Sequence, residues 1–121
     1  MNLYLNKAHK LFRLSKKELN EAKKINDEEL ARDASGKAWI ATTDALRGFL
    51  LSRGLSERKL PKSERQRHDF LAQFGDEKMW QLYYAISGEI HQTAYYEGII
   101  NYTHLFVAFN NVNKFIRFCG N

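Results

Sequence analysis

"AWIATTDALRGFLL", residues 38–51, decides the fold. Only Asp44 and Arg47 carry charge in this stretch, and apolar residues fall on almost every side of a 3.6-residue period. A segment of that kind is a helix buried on more than one flank. Upstream, Ala31, Ala34, Ala38, Ala41 and Ala45 form a row of small residues that lets another helix come close. Asn26 reads as an N-cap, and Asp27, Glu28 and Glu29 place acids in the first turn, where the helix dipole favours them. Gly54 sits at the C′ position after Arg53. A helix over about Asp27 to Arg53 is therefore predicted as the central element. Asp44 within it needs a partner if buried. Arg47, one turn on, is one; a tyrosine or histidine from the fourth helix is the other.

Working outward, helical spacing continues and strand-like alternation is absent. A first helix, Leu3 to Ile25, has an apolar stripe of Tyr4, Ala8, Leu11, Phe12, Leu19 and Ala22 opposite its lysines. Residues 55–62 form a linker with the sole proline, Pro61. Ser63 caps a short third helix, Glu64 to Phe74, closed by Gly75. Asp76 caps a fourth helix that runs to about Ile90 or beyond, and a fifth covers about Thr103 to Phe118 with Leu105, Phe109, Val112 and Ile116 inward. The expected fold is all-α: one domain over residues 1–121, an antiparallel bundle of four to five helices.

With 121 residues and 44% hydrophobic content, the chain can bury a real core. The lone cysteine, Cys119, excludes an internal disulfide and points to a reducing compartment. No apolar run is long enough for a membrane span, and residues 1–12 lack the apolar block of a signal peptide. A cytoplasmic protein without a membrane partner is expected. The net charge is +5. Lys7, Lys10, Arg13, Lys16 and Lys17 stand together without an acid, and Arg53, Arg58, Lys59, Lys62, Arg65 and Arg67 outnumber Glu57 and Glu64. Each group reads as a solvated face or as a patch for nucleic-acid phosphates.

The densest chemistry lies in "SGEIHQTAYYEGIINYTH", residues 87–104. Met79, Tyr83, Ile86 and Ile90 make one stripe of the fourth helix; Trp80, Tyr84, Ser87 and His91 make a second, about 100° further round. The fifth helix repeats this with Phe106, Asn110, Asn113 and Arg117 beside its core stripe. Two amphipathic second faces predict a homodimer. His91 reads as a general base, a metal ligand, a nucleic-acid contact or a hydrogen-bonded helix-end residue. Glu89 and His91, two apart, point to different sides of a helix and cannot share a metal. His68 has Glu64 one turn back. His104 opens the fifth helix. Four scattered histidines and one cysteine show no zinc spacing, so no metal and no cofactor are expected. No phosphate-binding glycine loop or nucleophile elbow is present.

"ASGKAWIATTDALRGFLLSRGL", a short basic helix and then "EIHQTAYYEG" stand in an order that resembles the HEPN superfamily. Within it the chain looks most like the archaeal paREP branch and its bacterial relatives of unknown function, through Lys37, Ala38 and Trp39, then His91, Tyr96, Glu97 and Gly98. The resemblance runs from about Leu3 to Phe118. It implies a dimeric bundle of four or five helices. In many members it also implies a metal-independent ribonuclease or a toxin with a nucleotidyltransferase-type partner protein. Their site is an arginine followed four to six residues later by a histidine. Here Arg67 is too far before His91, while Arg65 and Arg67 are too close before His68. No arginine precedes His9 or His104 at that spacing. The resemblance therefore implies a non-catalytic dimeric interaction or nucleic-acid-binding module. The alternative is a divergent, toxin-type ribonuclease with His91 or His68 as base and Arg65, Arg67 or Arg117 supplying charge. The candidate catalytic residues are His91, Glu97 and Asp44. The candidate nucleic-acid contacts are Lys7, Lys10, Arg13, Arg65, Arg67, His68, Tyr95 and Tyr96. The two tyrosines can stack on bases or fill the joint between the fourth and fifth helices.

Overall fold

Two long helices laid side by side organise the molecule. A computed structural model describes residues 2–121; Met1, part of the expected 1–121 domain, lies outside the described residues. Helix α1 spans Leu3–Ile25 and α2 spans Glu28–Ser52. They turn back on each other at Asn26, which does not cap α2 as the sequence led us to expect. It closes α1 in the left-handed conformation (φ 54°), with its N–H directed to the carbonyls of Ala22 and Lys23. Asparagine tolerates that conformation better than other non-glycine residues. Asp27 takes over the cap, its Oδ1 accepting from Leu30 N at 3.1 Å. The alanine row explains how tightly the pair packs: Ala31, Ala34, Ala38, Ala41 and Ala45 are all fully buried.

The remaining helices wrap α2. Helix α3 covers Glu64–Phe74, α4 Glu77–Ile86 and α5 Tyr102–Gly120, with a 3₁₀ turn at Glu57–Lys59 in the linker. Ser63, Asp76 and Asn101 cap them through side-chain oxygens, each satisfying an otherwise orphaned N–H. The fold is all-helical, with no strand among the described residues. Helix α2 touches α1, α3, α5 and the segment after α4, which makes it the hub. Leu46, Phe49 and Leu50 of α2, Tyr83 of α4 and Leu105, Val112 and Phe115 of α5 are among the buried side chains of one continuous core. Cys119 lies inside it, and burial pushes its thiol pKa up. By contrast α3 contributes a single buried residue, Leu71.

The fourth helix departs from expectation. It is α-helical only to Ile86; Ser87–Tyr96 then winds as a π-helix. The change shows in Glu97 N donating to Gln92 O at 3.0 Å, five residues back. In the wider turn, residues four apart come nearly into line. Ile86, Ile90 and Ala94 therefore stay buried, while His91 leaves the Trp80–Tyr84 line and turns toward α2. The expected second face is split as a result. Trp80 and Tyr84, 42% and 38% exposed, pack against each other and Tyr84 reaches His68 of α3.

Candidate functional site

Trp39, on the hub helix, is the floor on which the site is built. It is 8% exposed and tilted against Tyr83, ring centroids 5.5 Å apart. The His91 ring stacks on it at 4.6 Å with 14° between planes. The Tyr95 ring follows, 6.4 Å from His91 and 12° from parallel. Three near-parallel rings thus climb from the core to the surface. The π winding aligns His91 with Tyr95, four residues on.

Helix α2 also fixes the top of this ladder. A Cβ at Gly36 would lie 2.7 Å from Tyr95 Cε1, so only glycine leaves room for the ring there. Arg32, one turn earlier, donates from Nε to the Tyr95 carbonyl at 2.6 Å and from Nη2 to the Tyr96 carbonyl at 3.1 Å. The guanidinium thereby satisfies carbonyls that the end of the π-helix leaves open. Gly98 (φ 71°) then turns the chain toward α5.

Beside the floor is a polar network carried by α3. Arg67 places its guanidinium carbon 5.9 Å from the centroid of the Trp39 ring. Its Nε donates to Tyr83 Oη at 2.9 Å and its Nη2 to Glu64 Oε2 at 3.2 Å. Tyr83 Oη donates to Glu64 Oε1 at 2.7 Å. His68 Nε2 stands 2.9 Å from Glu64 Oε1, an ion-pair distance without hydrogen-bond alignment, and its Nδ1 shares a hydrogen bond with Tyr84 Oη. Burial pushes the Glu64 pKa upward, but hydrogen bonds from Tyr83 and Arg67 outweigh it and hold the carboxyl below its usual range. Burial beside that carboxylate drives the Tyr83 hydroxyl pKa far up, so it remains a donor.

Burial also lowers the His91 pKa. The Glu64 carboxylate partly opposes that shift and the Arg67 guanidinium adds to it. The imidazole Nδ1 is buried without a hydrogen-bond partner. The unfolded chain therefore takes up the proton first as pH falls. The His91 contribution to stability is whole above its ordinary value of 6.5 and declines below it. Glu64 shifts in the same direction, so its share fades only below its ordinary 4.5. Thermal unfolding of the wild type between about pH 5 and 8 should fall on the acid side, and His91→Gln should flatten that fall.

Three grooves open along α2, two of them against the ladder. One of about 340 Å³ is lined by Asp33, Gly36, Lys37, Trp39, Ile40 and Tyr95. A second, about 440 Å³, lies between α1 and α2 against Lys7, Lys10, Leu11, Leu14, Ile40 and Asp44. Ile40 belongs to both, so the lysines of α1 and the ring ladder border one surface. The third, about 420 Å³, has walls of Glu29, Arg32, Asp33, Tyr95 and Tyr96.

His91, Tyr95, Arg67 and His68 thus gather around Trp39 and Tyr83. Lys7 and Lys10 line the adjoining groove, and Arg13 is exposed on α1. Arg65 and Glu97 are exposed and Tyr96 lines only the third groove. Asp44 does not join His91. It pairs with Arg47, Nη1 to Oδ1 at 2.9 Å, and lines the α1 groove. Trp39 and Asp44 are five residues apart, about 140° around the helix, which sends them to different flanks. Sequence reasoning missed Arg67 beside Trp39, and the roles of Glu64, Tyr83, Arg32 and Gly36. The usable signal was Gly36 one turn before Trp39, a gap next to an aromatic on the central helix. Among the described residues no group of three or more His, Cys, Asp or Glu could hold a metal, and no helix is long and apolar enough to cross a membrane.

No protein of curated function and no solved structure matches the chain significantly. The model of one family, the archaeal PaREP1/PaREP8 family, matches residues 10–105, a span that includes Trp39, Arg67, His91 and Tyr95. The chain belongs to the archaeal PaREP1/PaREP8 family.

Proposed function

We propose that this protein is a non-catalytic, HEPN-like helical module of the cytoplasm that binds single-stranded nucleic acid as a homodimer. The ring ladder carries the reading. Its outer ring, Tyr95, is 42% exposed beside a groove, and Lys7 and Lys10 border the same surface across Ile40. Stacking of a base on an aromatic face tolerates any sequence, and nearby cations neutralise the phosphates. Pairing of two copies draws on Trp80 and Tyr84, which form an exposed T-shaped pair on α4 with ring centroids 4.5 Å apart. Light scattering should give twice the monomer mass, and a monomer would remove that half of the proposal.

Binding is tested by anisotropy of short labelled RNA and DNA strands at low and moderate salt. Tyr95→Ala should weaken it about tenfold, since one stacked base contributes about 1–3 kcal/mol. Absence of binding at low salt, or a Tyr95→Ala protein that binds as well as wild type, overturns the reading.

A second reading, a ribonuclease, has one observation in its favour. Arg67 and His91 both pack on Trp39, and the arginine's charge reaches the imidazole, so space brings together a pair that the chain separates. A neutral imidazole near a cation suits proton abstraction next to a phosphate. Incubation with RNA in EDTA separates the two. Cleavage by the wild type that is lost in His91→Ala would replace the first reading with the second.

A further inference from the structure

Asp33 is a residue at the ladder that the binding proposal leaves unused. It lines both grooves that meet at the Tyr95 ring. Its carboxylate is exposed and takes no part in the ion pairs or side-chain hydrogen bonds of the described residues. The neighbouring cations are occupied. Lys37 is paired with Glu18, and Arg32 is spent on the two carbonyls of the π-helix. A free carboxylate therefore stands beside an exposed aromatic face.

A carboxylate at a nucleic-acid surface repels phosphate and adds nothing to sequence-independent affinity. It can only accept hydrogen bonds, which makes it a reader of N–H groups on a base edge. The four bases differ there. Guanine presents two adjacent donors, N1–H and N2–H, which match the two carboxylate oxygens. Adenine and cytosine each offer one amino group next to a ring nitrogen that is itself an acceptor. Uracil offers one N–H between two carbonyls.

We infer that Asp33 is a specificity residue that selects guanine for the base stacked on Tyr95. The inference rests on the proposed single-strand binding and assigns its base preference. Phosphates on either side of that base lie toward Lys7 and Lys10, away from the acid.

The test is a titration of short oligouridylates that carry one central guanosine, adenosine or cytidine, or none, against wild type and Asp33→Asn. The wild type should hold the guanosine strand about tenfold more tightly than the all-uridine strand, with adenosine and cytidine between them. In Asp33→Asn the spread should shrink to less than about twofold while all-uridine binding is kept or gained, because a negative charge is lost. An unchanged melting temperature of the variant separates this role from a structural one. Equal affinity of the wild type for all four strands overturns the guanine assignment alone. So does a guanine preference that survives in Asp33→Asn. Failure of every strand to bind overturns the parent reading with it.

Discussion

Replacing Trp39 with alanine should cost about 3–5 kcal/mol of stability, the range for removing a large buried aromatic. A domain of this kind holds only about 5–15 kcal/mol, so the variant should stand near the edge of folding. The effect is large because Trp39 is shared. Tyr83 packs against one part of it, His91 lies flat on it and the Arg67 guanidinium faces its ring. Alanine leaves a cavity under all three, and Arg67 loses a cation–π contact. Urea unfolding measures the loss, and Trp39→Phe, which keeps a ring, should lose clearly less. Where Trp39→Ala still folds, the His91 titration should move up toward 6.5, because the desolvating ring is gone. A loss under about 1 kcal/mol would mean that the ladder rests on something other than this floor.

The second large effect is electrostatic. Lys7, Lys10 and Arg13 are exposed on α1, so changing all three to glutamate should move stability by no more than about 0.5 kcal/mol per site. Nucleic-acid binding should collapse, by on the order of 100-fold at low salt. The salt dependence distinguishes this from damage to the ladder. Each phosphate contact to a single strand contributes about 0.7 to the logarithmic salt slope, so losing three flattens it by about two. The gap between wild type and variant should then narrow roughly tenfold between about 50 and 200 mM salt. Tyr95→Ala, which removes stacking and no charge, should leave that slope alone. A triple variant with the wild-type slope would place the phosphates elsewhere.

Much of the scaffold was legible because its signals are local. The apolar run of residues 38–51, the alanine row and the caps Ser63 and Asp76 each act within one helical turn, and α3 and α4 begin directly after those two caps. Asn26 reads as a cap because a cap and a left-handed stop look alike when only two residues, Asn26 and Asp27, join two helices. The site was less legible for two physical reasons. Helical periodicity was extended through Ser87–Tyr96 at 3.6 residues per turn, whereas i→i+5 winding swings His91 off the Trp80–Tyr84 line and onto Trp39. The second is separation along the chain. Arg67 and His91 are brought together because α3 folds back over α2 and α4, and no spacing rule within one segment can register that. What the fold does show is that an arginine of α3 and a histidine of the π-helix pack on the same tryptophan, Trp39.

The sparse anchoring of α3 has its own consequence for how the protein breathes. With Leu71 alone fully inside and Phe70 and Phe74 only partly covered, the helix depends on side-chain polar bonds to Tyr83 as well as on buried apolar area. Elements of that sort open below the global unfolding energy. Backbone amides of residues 64–74 should exchange with deuterium well before those of α2. Each such excursion carries Arg67 away and bares the indole beneath it, so the cleft changes its charge on the timescale of one helix letting go.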